Sequence, residues 1–93
     1  MRRIALTLFT VLLFASTLAA AEAAVRAGVR DADAVLAAAR AELDAAELEP
    51  EYLELRSVED LSTVERVNGS TLLGVAARVG RARLIDNTIL GGT

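Results

Sequence analysis

The side chains able to do chemistry in this 93-residue sequence are carboxylates, arginines, hydroxyls and one tyrosine, Tyr52. Without histidine there is no ordinary general base near neutral pH, no Ser-His-Asp relay, and the commonest zinc ligand is lacking. Without cysteine there is neither a disulfide framework nor a thiolate metal site. All ten cationic residues are arginines, so no lysine forms a Schiff base or fills a P-loop. The densest ionisable group is Glu47, Glu49, Glu51 and Glu54. A metal would need these oxygens to converge in fixed geometry, yet they straddle Pro50, and a solvated helix-to-strand connection is the expectation. Asp86 with Arg83 offers a catalytic acid with an orienting cation, or a structural ion pair at a hairpin. The ion pair is the better supported reading. Arg78, Arg81 and Arg83 read as a solvated hairpin tip. Gly69 and Gly74 lack the spacing that cradles a phosphate. Nucleophile, base and oxyanion donor are nowhere assembled, so no catalytic, cofactor-binding or metal-ligating residue is assigned.

The balance of charge is acidic, with a formal net charge of −3. That argues against a nucleic-acid partner, which would call for a basic stripe to displace counterions. A 54% hydrophobic content, with only one proline and six glycines, describes one small folded domain rather than a linker or a disordered tail. No internal repeat occurs.

The elements that must position these groups begin with an apolar run. Residues Ile4 to Ala21 carry no charge and follow Arg2 and Arg3. As a helix the run spans about 27 Å, close to a bilayer core. A basic start, an apolar middle and small residues at Ala19, Ala21 and Ala23 also fit a secretory signal. Against export, the run contains Thr7, Thr10, Ser16 and Thr17 and continues without a break into alanine-rich sequence. An apolar helix of a domain core has the same composition. The expected division is an apolar N-terminal helix over 1–21, membrane-associated or not, and a domain over 22–93.

Ala23 to Ala27 finishes the first helix, with Gly28 as its stop. Asp31 or Asp33 caps the next, where Val35, Leu36, Ala39 and Leu43 form one apolar stripe between Ala34 and about Ala46. Pro50 ends helical geometry. Tyr52 to Arg56 alternates as a half-buried strand with Leu53 and Leu55 inward. Ser57 with Asp60 resembles a cap, predicting one helical turn from Ser57 to Leu61. Thr63 to Val67 suits a short edge strand, followed by a type I′ hairpin turn at Asn68-Gly69. Leu72 to Val79 reads as a central strand covered on both faces. Gly80-Arg81 is a two-residue turn, and Ala82 to Leu90 returns as a strand. Gly91-Gly92-Thr93 looks like a frayed end. The predicted class is α+β: alanine-rich helices followed by a small antiparallel meander of three to four strands.

Two blocks carry a family resemblance. Pro50-Glu51-Tyr52-Leu53-Glu54-Leu55-Arg56, followed at the right distance by Leu72-Leu73-Gly74-Val75-Ala76-Ala77-Arg78-Val79-Gly80-Arg81-Ala82-Arg83-Leu84-Ile85-Asp86-Asn87, resembles the C-terminal end of the pantothenate synthetase (pantoate–β-alanine ligase) family. The likeness covers about residues 23–90. It departs at Ala82, where the family usually has threonine, and at Gly74, where a larger apolar residue is common. The resemblance implies a two-domain, cytosolic, homodimeric ligase that uses ATP and Mg²⁺ to activate pantoate as an acyl-adenylate. It also implies a C-terminal domain that closes as a lid over the nucleotide site. The family's histidine-containing ATP signature, its pantoate-binding glutamines and lysine, and its Ser-Ser-Arg-Asn signature have no counterpart in these 93 residues. No catalytic or cofactor residue therefore transfers. The expectation is a lid fragment, inactive alone, from a truncated or rearranged coding region. Its natural partner is a nucleotide-binding domain, separately encoded if it is present at all. The competing expectation is a small membrane-anchored or exported interaction module that reuses the fold.

Overall fold

The computed structural model describes residues 2–91, with side chains from Phe14 onward. Two helices, α1 (Arg2–Arg26) and α2 (Ala32–Ala45), precede three strands: β1 (Tyr52–Ser57), β2 (Thr71–Val79) and β3 (Ala82–Leu90). The strands form one antiparallel sheet in the order β1-β2-β3, an α+β meander with the helices layered on one face.

Helix α1 runs unbroken through residue 21. Phe14, Leu18, Ala21 and Val25 recur at three- and four-residue spacings and are all buried. They pack on the α2 stripe of Ala32, Val35, Ala39 and Leu43. Ala21 and Ala39 are both wholly inaccessible, so small side chains let the helix backbones approach closely. From Phe14 on, the apolar run is thus a core helix of the domain; the side chains of residues 2–13 lie outside the described set. Among residues 14–91, whose side chains are described, no helical stretch is long and apolar enough to cross a membrane. Gly92 and Thr93 also lie outside the described residues.

The helix ends follow the expected chemistry. Gly28, at φ +99°, closes α1, with the Val29 N–H donating to the Ala24 carbonyl and the Gly28 N–H to that of Val25, both at 3.0 Å. The Asp31 carboxylate, not that of Asp33, caps α2 by accepting the Ala34 N–H at 3.0 Å. Helix α2 stops before Pro50 in a second Schellman turn. There the Leu48 N–H reaches the Leu43 carbonyl at 2.9 Å and Glu47 is held at φ +56°. A side chain in that left-handed region is strained. Glu47→Gly is therefore expected to stabilise the fold by about 0.5–1 kcal/mol, after allowing for glycine's freer unfolded chain. The urea midpoint of the variant measures this, and an unchanged midpoint would contradict it.

In β1, Leu55 is buried and Leu53 half-buried, facing the helices as the alternation predicts. The Leu61 N–H donates to the Ser57 carbonyl at 2.9 Å, which gives the single helical turn expected there. Residues 63–67 depart from expectation. They form no strand, and Asn68 keeps a negative φ, so no type I′ turn forms at Asn68-Gly69. Instead, Ala32 N–H donates to the Glu65 carbonyl at 2.9 Å and Val67 N–H to the Arg30 carbonyl at 2.7 Å. This pairing satisfies an otherwise orphaned amide at the start of α2 and buries Val67 to 1% exposure. Burial of Val67 between the layers outweighs the local hairpin preference. At the other hairpin, Val79 faces Ala82 across Gly80-Arg81, with Gly80 at φ +62°, as a two-residue turn requires.

Candidate functional site

Period-two alternation divides the sheet into a face against the helices and an outer face. Leu55, Leu73, Val75 and Ala77 point to the helices. The outer face is built by Tyr52, Glu54 and Arg56 of β1, Leu72, Gly74 and Ala76 of β2, and Ile85, Asn87 and Ile89 of β3. A shallow groove of about 360 Å³ crosses it, lined by Tyr52, Glu54, Arg56, Leu72 and Gly74, with Leu61 from the preceding turn at its rim. Gly74 leaves room for the Tyr52 ring, whose Cε1 would stand 3.4 Å from a side-chain carbon placed there.

The ionic groups of this face are paired with one another. Arg56 meets Glu54 Oε2 at 3.1 Å and donates to the Leu61 carbonyl at 3.3 Å. At the hairpin tip, Arg78 and Arg83 are cross-strand partners, and both approach Glu51 Oε1, at 3.6 and 3.3 Å. Arg78, Arg81 and Arg83 are exposed, in keeping with a solvated tip. Such exposed pairs orient side chains more than they stabilise the fold. In the turn after β1, Ser62 donates its hydroxyl and then its backbone N–H to Asp60, holding that carboxyl below the usual aspartate range.

The four glutamates do not converge. Glu47 sits at the α2 stop, Glu49 lies 3.6 Å from Arg40, Glu51 serves the hairpin tip, and Glu54 serves Arg56. Among the described residues, no three acidic, histidine or cysteine side chains are grouped to hold a metal. The expected Asp86–Arg83 ion pair is corrected. Three residues apart on a strand, their side chains leave on opposite faces. Arg83 takes Glu51, while Asp86 Oδ1 accepts the neighbouring Asn87 N–H at 2.8 Å.

A second groove, about 420 Å³, lies where α1 ends against β3, lined by Glu22, Val25, Arg26, Arg30 and Ile89 among others. Thr88 donates to Glu22 Oε1 at 3.1 Å across it, and Arg30 caps α1 through the Val25 carbonyl at 2.7 Å. Sequence reasoning missed the Glu51 clamp and the Glu22–Thr88 bond. Their partners are 32 and 66 residues apart, and no local spacing signals such pairs. Chemically, these faces offer surfaces for docking and hydrogen bonding.

The comparisons with known proteins agree with one another. A family model described as pantoate-beta-alanine ligase matches residues 1–89, including the apolar N-terminal run. The pantothenate synthetase of Roseiflexus castenholzii is 46% identical over 66 residues, covering 70% of this chain and 24% of that protein. Pantothenate synthetase 4 of Frankia alni is 60% identical over 60 residues, 63% of this chain and 19% of the relative. Among solved structures, the pantothenate synthetase of Thermus thermophilus superposes with a TM-score of 0.74 at 27% identity, over 82% of this chain and 28% of that one. The chain spans less than a third of the length of each of these relatives.

Proposed function

The chain belongs to the pantoate–β-alanine ligase family, and from that premise we propose that it is the closing lid of a pantothenate synthetase. The proposed activity of the whole enzyme joins pantoate to β-alanine. The pantoate carboxylate displaces pyrophosphate from ATP, and the β-alanine amine then displaces AMP from the acyl-adenylate. The acyl-adenylate is prone to hydrolysis, so a domain that closes over it contributes by excluding water. The observation that carries this reading is the superposition of two helices and a three-stranded meander on just over a quarter of a solved synthetase.

ATP and Mg²⁺ do not fit the described residues as their own ligands. The carboxylates are dispersed, and the arginines of the outer face are already paired with glutamates. No chemical step is therefore assigned to a residue of this chain, and the cofactors belong to a nucleotide-binding domain that the lid covers. On this reading the lid works in the cytoplasm, beside that domain.

The purified chain, given ATP, Mg²⁺, pantoate and β-alanine, is expected to release no AMP above the blank. Added to a family member's nucleotide-binding domain that has been cut free of its own lid, it is expected to raise AMP release. AMP from the chain alone would overturn its assignment as a lid, and no gain in the mixture would count against docking. A cellular product starting near Glu22 or Ala24 would favour the exported-module reading instead.

A further inference from the structure

Asparagine and glutamine are thermally labile side chains, and this chain has two asparagines, Asn68 and Asn87, and no glutamine. An asparagine amide is lost when the backbone nitrogen of the next residue attacks its Cγ. The residue that follows, and the freedom of its N–H, therefore decide which asparagine reacts. Thr88, after Asn87, is β-branched and lies within β3, opposite Leu73 of the central strand. Its branched Cβ crowds the approach, and the sheet holds the backbone extended. Gly69, after Asn68, has no Cβ to block the approach and belongs to neither a helix nor a strand. Asn68, Gly69 and Ser70 are all exposed. Among the described residues, nothing accepts the Gly69 N–H and nothing bonds the Asn68 carboxamide.

The chain on either side of this exposed pair is pinned. Val67 is 1% exposed and donates its N–H to the Arg30 carbonyl at 2.7 Å. Thr71 is buried as well, and its hydroxyl donates to the Gly69 carbonyl at 3.2 Å. The same carbonyl oxygen lies against Gly91, where an added Cβ would stand 2.8 Å from it. The reactive pair thus faces water, but the backbone that carries it has little slack.

We propose that Asn68-Gly69 is a site of spontaneous deamidation, whose isoaspartyl product loosens the seat of Val67. The Gly69 nitrogen bonds to Asn68 Cγ and the Cγ–Nδ2 bond breaks. Ammonia leaves with the proton given up by the Gly69 N–H, and a succinimide ring remains. Water then opens the ring, and no other reactant is needed. Opening at the side-chain carbonyl gives aspartate. Opening at the backbone carbonyl gives isoaspartate, whose main chain runs through Cβ and Cγ and is one methylene longer. Both products add a negative charge to a chain of formal net charge −3. Only isoaspartate lengthens the backbone, and it does so between buried Val67 and the carbonyl held against Gly91. To absorb the extra methylene, either that carbonyl shifts or Val67 leaves its place between the layers.

Ageing the purified full chain in warm, mildly alkaline buffer tests this. Trypsin cuts after Arg66, Arg78 and Arg83, so residues 67–78 carry Asn68 alone and residues 84–93 carry Asn87 alone. The mass of the first peptide is expected to rise by the amide-to-acid increment, at nearly the rate of the same peptide aged free in solution. The second is expected to stay unchanged. Methyl transfer from S-adenosylmethionine by an isoaspartyl methyltransferase distinguishes isoaspartate from aspartate. The isoaspartyl fraction is expected to unfold at a lower urea concentration than the parent. Freshly prepared Asn68→Asp, which has the charge without the longer backbone, is expected to keep the parent's midpoint. Asn68→Ser, which has no amide to lose, is expected to hold its midpoint through the same ageing. Survival of Asn68 under conditions that convert the free peptide would overturn the proposal, as would loss of Asn87 at an equal rate. An isoaspartyl fraction with the parent's midpoint, or a fresh Asn68→Asp chain as weakened as the aged one, would overturn the loosening of Val67.

Discussion

Leu73→Ala is expected to lower stability by about 3–4 kcal/mol, within the range found for leucine deletions in well-packed cores. Leu73 lies in the central strand, is wholly inaccessible, and faces Leu55 on one neighbouring strand and Thr88 on the other. The layer of α1 and α2 covers it, so the cavity left by truncation has rigid walls on every side. A folded domain of this length holds about 5–14 kcal/mol in total, so this one change removes a large part of it. Leu72, the next residue, points to the outer face and is only half-buried. Leu72→Ala is expected to cost about 1 kcal/mol or less. Urea unfolding of the two variants measures the difference directly. Equal losses would mean that the sidedness assigned to β2 is wrong.

The same sidedness explains what the sequence made legible. Leu53 and Leu55 could be assigned inward because burial acts through a period of two. The continuous apolar run Leu72 to Val79 marked the central strand, but the expectation that both its faces are covered is corrected: the helices pack on Leu73, Val75 and Ala77, while Leu72 and Gly74 line an open groove on the other face. Gly28 and Asp31 were readable because caps answer to backbone groups within a few residues. The outcome differed where a distant segment competed with a local preference. Asn68-Gly69 has strong hairpin chemistry, yet the segment before it is held by Arg30 and Ala32, and Val67 is drawn into the core. The expected Asp86–Arg83 pair fails on local grounds, because an odd separation on a strand sends side chains to opposite faces. In the first helix the apolar residues run all round, so periodicity alone did not distinguish a membrane segment from a core helix. Contact with α2 selects Phe14, Leu18, Ala21 and Val25 as the buried face. For the site, composition indicated what chemistry this stretch of chain lacks, and the paired strand blocks carried the family. The Glu51 clamp on Arg78 and Arg83 arises only once the meander brings the start of β1 beside the hairpin tip.

Gly91→Ala is expected to be nearly as damaging as the core truncation, for a different reason. Gly91 follows β3 at φ +69°, where an L side chain already costs about 1–2 kcal/mol. An alanine Cβ there would also stand 2.8 Å from the Gly69 carbonyl oxygen and 3.0 Å from Val67 Cγ1. The oxygen belongs to backbone that joins a buried residue to β2, so it is not free to swing aside. Relieving the clash means displacing either the end of β3 or the segment that seats Val67, at a further cost of about 1–2 kcal/mol. Gly28→Ala separates the two contributions, because Gly28 sits at φ +99° with nothing within 4 Å of the added carbon. It suffers the backbone strain alone. Thermal or urea unfolding should therefore rank Gly91→Ala below Gly28→Ala, and both below the parent chain. If the two variants fell together, the close approach of the chain after β3 to the loop at Gly69 would not exist, and Val67 would have to be held in the core by its contacts with residues 30–32 alone.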